Sequence, residues 1–292
     1  MNRQSAFPVI IILMLAELTC AAEFELLNAT GREIMDAVSS RHEQYPYVYE
    51  EQSMVLIDRN GNRETRKLRR FSRIEQDRQS RLLLLFDSPE EVKGVAVLAN
   101  LLPGGETRQS VYLPAFGKTM IESGSRAVDS KFLGTDFSVE NLIGENLDDY
   151  DYRRQRDAVI ADIPYFIIDV YDHEDNEASL EQRLRRHYTR QDNLYITRTD
   201  HFDDLGRLKK RQSQHDLTPV LGEMWRANMM FMEDKQEQHQ TLIKINRRVF
   251  SGDYVPAEMF TPEWLFENQG KPVEPESDDD FVPEKTAEVT SL

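Results

Sequence analysis

The residue types that could do chemistry are scattered. The six histidines, His42, His173, His187, His201, His215 and His239, do not pair at metal-ligand spacing. They stand among charged neighbours and are expected at the surface or on sheet edges. Asp172, Glu174 and Asp175 gather carboxylates, but the ligand order of an EF-hand is missing, so a solvated hairpin loop is expected there. There is no Gly-x-Ser-x-Gly elbow, no His-Glu-x-x-His, no P-loop and no dinucleotide glycine fingerprint. The expectation is therefore a protein that is not an enzyme, with no catalytic residue, no metal and no cofactor.

The stretch Phe132 to Leu142, FLGTDFSVENL, is the most pointed local pattern. Gly134 allows a sharp change of direction, and Asp136 can accept backbone N–H bonds in the turn. Ser138 is placed to cap a helix over Val139 to Ile143, with Asn141 where a capping box closes. Phe132, Leu133 and Phe137 would anchor that helix to a sheet. Gly134, Thr135, Asp136 and Ser138 thus read as a structural hinge for a short lid helix rather than a site of chemistry.

Two further patterns concern surfaces. Basic residues cluster at Arg66, Lys67, Arg69, Arg70 and Arg73, at Arg183, Arg185 and Arg186, and at Lys209, Lys210 and Arg211. Their expected role is a solvated face whose long stems cover apolar surface; contact with anionic headgroups is the other reading. The segment EMWRANMMFM, Glu223 to Met232, holds four of the ten methionines. Strand alternation puts Trp225, Ala227, Met229 and Phe231 on one face. That face is either core or an adaptable wall for a greasy ligand.

These groups need elements to hold them. Thr30 and Glu33 form a capping box that opens a helix to about Gln44, ended by Pro46. A long β region follows, with a hairpin at Asn60-Gly61 and an apolar run over Leu82 to Phe86. Ser88-Pro89-Glu90-Glu91 reads as a second capping box for one helical turn before Gly94. Strands are then expected over Val95 to Leu101, Ser110 to Leu113, Tyr165 to Tyr171, Arg183 to Thr189, Leu194 to Phe202, Arg207 to Gln214, Trp225 to Met232 and Thr241 to Asn246. Glu263 to Phe266 suggests a closing helical turn. About ten strands with hairpin connections and few helices predict a mainly β (α+β) fold, one strongly curved antiparallel sheet with helices packed on one side.

The ends differ in character. Arg3, the apolar run Val9 to Leu15 and the small residues Cys20 to Ala22 have the pattern of a secretory signal peptide. The apolar run is shorter than the about 20 residues that span a bilayer. Glu17 stands where a lipobox would carry an aliphatic residue, so cleavage near Ala22 is expected rather than lipidation of Cys20, the one cysteine. The proline-dotted, acidic segment 270–292 is expected to be a disordered tail. The organisation is then signal peptide 1–22, one domain over 23–269, and the tail. A formal net charge of −16 makes nucleic acid an unsuitable partner.

Four motifs in order resemble one family. They are FDSPEEVKGVAVL from Phe86, VYLPAFGKT from Val111, GTDFS from Gly134 and FDDLGRLKK from Phe202. Together they make the chain similar to the LolA-like outer membrane lipoprotein-sorting proteins over roughly Thr30 to Phe266. Gly117 and the tail depart from the pattern. The resemblance implies an incomplete β-barrel with a helical lid over an apolar concave cavity. It also implies a periplasmic carrier that binds a lipid or lipoprotein acyl chain without covalent chemistry. The cavity candidates are Phe86, Val97, Tyr112, Phe132, Phe137, Leu142, Phe166, Ile168, Trp225, Met229 and Phe231. Partners by the same resemblance are an inner-membrane RND-type exporter or an outer-membrane acceptor. The alternative from another class is a non-carrier accessory subunit, its sheet filled by its own side chains, that docks on such an exporter.

Overall fold

A computed structural model of the chain describes residues 26–75, 79–102, 107–114, 119–124, 131, 133–173 and 182–268, with the backbone course alone for 119–124. The expected signal peptide, Phe132, the acidic pair Glu174 and Asp175, and the tail lie outside the described residues.

Helix α1 (Gly31–His42) starts where its capping box predicts: Thr30 and Glu33 bond each other's backbone N–H groups. Ile34 and Met35 are its buried face. Gly31 lets it lie directly on the chain, because a Cβ there would stand 2.5 Å from the carbonyl oxygen of Tyr152. Arg154 fixes the approach to α1 by donating to the carbonyls of Leu27 and Ala29, both at 2.9 Å.

The strands are β1 (Tyr47–Ile57), β2 (Arg63–Ile74), β3 (Ser80–Ser88), β4 (Ala96–Leu101), β5 (Thr107–Leu113), β6 (Thr119–Gly124), β7 (Tyr150–Arg154), β8 (Ala158–Ile160), β9 (Ile163–Asp172), β10 (Arg183–Arg190), β11 (Ile196–Phe202), β12 (Leu208–Pro219), β13 (Trp225–Asp234) and β14 (His239–Val249). They form one antiparallel sheet in the order β6-β5-β4-β3-β2-β1-β14-β13-β12-β11-β10-β9-β7, with β8 paired to β9 beside β7. The sheet is not closed: β6 and β7 are its two ends. The mainly β expectation is met. β6, β7 and β8 were not foreseen, being short and without a clear apolar alternation.

Registers decide which side chains share a face. Met54 pairs with Ile243, which pairs with Met230, which pairs with Gln214. Two residues back on β12, Gln212 pairs with Thr199, Thr199 with His187, and His187 with Ile168. All of these therefore look to one side. That face has an apolar cluster at each end. The first joins β1 to β4, β13 and β14 to the short helix α2 (Val139–Ile143), through Leu84, Phe86, Val97, Phe137, Leu142 and Ile243. The second packs Phe166, Ile168 and Val170 against Ile34 and Met35 of α1. Both helices thus sit on the same face.

The opposite face of β1 to β5 is covered by the C-terminal segment. Val255, Met259, Phe260 and Leu265, the last on α3 (Pro262–Asn268), pack on Tyr49, Phe71, Leu83, Leu85 and Tyr112. The continuous apolar run Leu82 to Phe86 follows from this: β3 is buried on both sides. Ser88 to Glu91 is a correction. No helix forms there; the chain makes hydrogen-bonded turns, with Val92 N–H to Pro89 O at 3.1 Å and Gly94 N–H to Phe86 O at 2.8 Å. β3 and β4 are closed by a hairpin loop, which uses up the residues a helix would need.

Candidate functional site

The loop before α2 is locked from below. Asp136 has 0% exposure, and its carboxylate accepts from Thr241 Oγ1 at 2.8 Å and faces His239 Nδ1 at 2.7 Å. Its backbone N–H donates to Thr241 Oγ1 at 3.0 Å, and its carbonyl accepts from Lys210 Nζ at 3.1 Å. The expected turn bonds from backbone N–H groups to the Asp136 carboxylate are replaced by these side chains of β14. The reason is reach: the loop runs over the sheet, so the nearest donors belong to strands. His239 is correspondingly a loop anchor rather than a free surface group. Ser138 caps α2 in a full capping box with Asn141, and Thr135 Oγ1 donates to Phe137 O at 3.2 Å. Gly134 has φ +76°, and Gly144, just past the helix, has φ +95°, both in the region where a side chain is strained. Two arginines of β2 reach up to this segment. Arg66 donates to Leu133 O at 2.7 Å and Arg70 to Leu142 O at 2.9 Å.

Between α1 and α2 the same sheet face opens into two adjoining clefts. One, of about 250 Å³, is bordered by Met35 and Val38 of α1 and floored by Arg185, His187, Thr199 and His201. The other, of about 210 Å³, is floored by Glu50, Arg70, Arg226 and Arg248 and walled by Val48, Leu142 and Met230. Both include Asn141 and Gln214 in their walls.

The first cleft is built around Glu145. Arg185 Nη2 lies 2.8 Å from its carboxylate, Tyr152 donates to it at 2.9 Å, and His187 Nε2 is 3.5 Å away. Burial raises the Glu145 pKa, but the Arg185 charge and these hydrogen bonds outweigh it and hold the carboxyl far below its usual range. His201 is pushed down to about 3 by burial first and by the neighbouring Arg185 charge second, so it is neutral at pH 7. Thr199, His187 and Glu145 stand in hydroxyl, imidazole, carboxylate order, with Thr199 Oγ1 2.9 Å from His187 Nδ1. Glu145 is turned toward Arg185 and Tyr152 instead of fixing the imidazole. The arrangement does not assemble the hydrogen-bond chain that activates a hydroxyl.

The second cleft is built around Glu50, 4% exposed. It accepts from Arg248 Nε at 2.6 Å, Gln52 Nε2 at 2.7 Å and Arg70 Nη1 at 3.4 Å. Burial works against its charge, yet Arg70 and Arg248 keep its pKa below the ordinary value. At the end of α1, His42 is driven down to about 4 by burial first and by the Arg226 charge second.

The candidates named from sequence divide by face. Phe86, Val97, Phe137 and Leu142 gather around α2, and Phe166 and Ile168 under α1. Tyr112 belongs to the opposite face, under the C-terminal segment. Trp225, Met229 and Phe231 also point away from the helices, because Met230 and Met232 are the residues of β13 that register with Ile243 and Thr241. Met232 is buried in the α2 cluster and Met230 packs against it. The arginine clusters split likewise. Arg66 and Arg185, 6% and 8% exposed, lie on the helix-bearing face, whereas Arg69 pairs outside with Asp87 at 2.7 Å. A uniform solvated stripe is thus corrected to alternating inward and outward arginines. Sequence reading did not single out Glu50, Glu145, Arg226 or Arg248. Among the described residues, no group of three or more His, Cys, Asp or Glu side chains could hold a metal ion, and no helix is long and apolar enough to cross a membrane.

An unclosed antiparallel sheet with α1 and α2 over clefts on one face, and the C-terminal segment on the other, has the LolA-like fold. A domain from Vibrio parahaemolyticus classed as an outer membrane lipoprotein-sorting protein superposes with TM-score 0.72 at 21% identity, over 80% of this chain and 97% of that one. A DUF1329 family protein from Desulfovibrio piger gives TM-score 0.69 at 21% identity, over 79% of this chain and 98% of its own. A LolA superfamily protein from Nitrosomonas europaea gives 0.63 at 16% identity, over 81% and 100%. Residues 78–267 match a family model described as "Uncharacterized protein", and the chain belongs to that family. No curated protein matches.

Proposed function

We propose that the protein is a periplasmic carrier that holds the acyl chain of a lipid or lipoprotein on the helix-bearing face and passes it between membrane-bound partners, without covalent chemistry. The observation that carries this reading is the construction of α2. It is a five-residue helix over a large apolar cluster, flanked by two positive-φ glycines. Its ends are held by polar contacts, the Ser138 cap and the Arg66 and Arg70 bonds to carbonyls. Such contacts each contribute about 1 kcal/mol net. Each methylene of cargo that takes the place of α2 contributes about 0.8 kcal/mol, so a chain of about a dozen methylenes offsets both these contacts and the burial of Val139, Leu142 and Ile143 that leaves with the helix. Transfer from an RND-type exporter or to an outer-membrane acceptor is part of the same proposal, as is export by a signal peptide over 1–22.

One observation favours the second reading, an accessory subunit that carries nothing: with α2 in place the apolar cluster is filled, Phe86, Val97 and Phe137 being at most 1% exposed. Native mass spectrometry of the purified protein discriminates the two. The carrier shows co-purified lipid, and Met230→Gln lowers its occupancy while leaving the melting temperature within a few degrees. Absence of lipid from every preparation, with no binding of added fatty acid, refutes the carrier and leaves the accessory subunit.

A further inference from the structure

The charges in the cleft at the end of α1 do not balance. Three guanidinium groups, those of Arg70, Arg226 and Arg248, meet there. Glu50 is shared between Arg70 and Arg248. Glu43 stands at the exposed rim, where Ser39 donates to it at 2.7 Å. Among the described residues, no carboxylate is bonded to Arg226. Its hydrogen bonds go to dipoles: Trp225 O at 2.9 Å, His42 O at 2.6 Å and Met224 Sδ at 3.6 Å. The ring of Phe250 lies 5.9 Å from its guanidinium carbon. The His42 carbonyl belongs to the last turn of α1 and offers partial negative charge only. Burial is the main cause that weakens its hold on a proton; the Arg248 and Arg70 charges act the same way, and Tyr195 and Glu50 oppose them without cancelling the effect. A half-buried guanidinium that has no carboxylate bonded to it, only the more distant Glu50 shared by two other arginines, is costly. The cost is relieved if an anion enters.

The walls say what kind of anion. Val48, Ile74, Leu142, Ile143 and Met230 line the same cleft, and Leu142, Ile143 and Met230 also belong to the apolar assembly around α2. An ion placed on Arg226 therefore has a path for a hydrocarbon tail leading directly under α2. We infer that this cleft is a headgroup subsite: Arg226, with Arg70 and Arg248 beside it, binds the anionic phosphate or carboxylate head of an amphiphile whose chain runs along Met230 toward α2. The inference rests on the carrier reading and adds a preference for acidic heads. Guanidinium groups suit such oxyanions because their donors match two oxygens at once.

The test uses three amphiphiles with one chain and different heads: dodecyl phosphate, dodecyl maltoside and dodecyltrimethylammonium. Their binding to the purified protein is measured by calorimetry below their micellar concentrations. The expected result is dodecyl phosphate about tenfold or more tighter than the maltoside, with the ammonium weakest. In Arg226→Met the phosphate and maltoside should converge to within about threefold, while Arg226→Lys, which keeps the charge, should retain most of the preference. Thermal melts show whether each variant folds; if Arg226→Met does not, Arg226→Gln replaces it, and the head preference of the wild type alone still decides. Equal binding of all three heads overturns the headgroup subsite and leaves the carrier standing. Inorganic phosphate that binds as tightly as dodecyl phosphate overturns it in favour of a free-anion site. No binding of any chain refutes both readings.

Discussion

Asp136→Ala should destabilise the protein by about 3–4 kcal/mol, more than any other single change in the α2 hinge. The side chain is fully buried and makes two short contacts, to Thr241 Oγ1 at 2.8 Å and His239 Nδ1 at 2.7 Å. Hydrogen bonds to a charged group contribute about 1.5–3 kcal/mol each, and removing one member of a buried ionic set costs about 3–5. The low end applies because Lys131, 3.5 Å from Asp136, keeps Asp234 at 3.0 Å and Glu237 at 2.5 Å. The backbone tether from Lys210 Nζ to Asp136 O is untouched by the substitution, so the hinge should loosen rather than detach. Urea unfolding at pH 7 reads the loss. A double-mutant cycle with Thr241→Val isolates the loop-to-strand contact, and a coupling of about 1–2 kcal/mol is expected. A loss below about 1 kcal/mol for Asp136→Ala, or strict additivity with Thr241→Val, would show that the carboxylate does not anchor the loop.

Ser138→Ala removes the α2 cap and should cost about 1 kcal/mol in the same unfolding assay, without abolishing cargo binding. Gly31→Ala sets two effects against each other. Alanine favours a helix over glycine by about 1 kcal/mol, but the new Cβ would meet Tyr152 O at 2.5 Å and Arg154 N at 2.9 Å, both backbone. Overpacking against atoms that cannot turn aside costs about 1–3 kcal/mol, so a lower melting temperature is expected, and a higher one would show that α1 can lift from β7 freely. Acid should destabilise the protein before its carboxylates titrate. His42 and His201 hold folded pKa values of about 4 and about 3, below the ordinary 6.5. Between these limits the unfolded chain binds protons that the folded chain refuses, so stability is full above pH 6.5 and is lost as pH falls toward 4 and 3. Each group contributes a slope of about 1.4 kcal/mol per pH unit. Melting temperature against pH checks this, and His201→Gln should flatten the slope; an unchanged slope would assign the acid lability elsewhere.

The fold was legible where periodicity was strong. The Thr30 capping box, the hairpin at Asn60-Gly61 and the Ser138 cap act within a few residues of themselves, so local chemistry decides them. The site was less legible because it depends on register, which a single strand does not carry. Trp225, Ala227, Met229 and Phe231 do share a face, as alternation requires. Only the pairing of Met230 with Ile243 shows that this face looks away from the helices. Arg248 shows the limit more sharply. Ile243 and Ile245 pair with Met54 and Gln52 on the helix-bearing face, and unbroken alternation would next bring Arg247 inward. A register shift between Glu51 and Gln52 places Arg248 opposite Glu50 instead. One extra residue on β14 thus turns Arg248 into the cleft and Arg247 out to Glu51, at 3.2 Å. The bulge carries no distinctive residue type, so nothing in the stretch IKINRRVF announces it. The consequence reaches function: without that shift Glu50 would lose its closest partner, and the crowding of positive charge that singles out Arg226 would not arise. A specific cleft on an otherwise ordinary sheet is here the product of one irregularity in pairing.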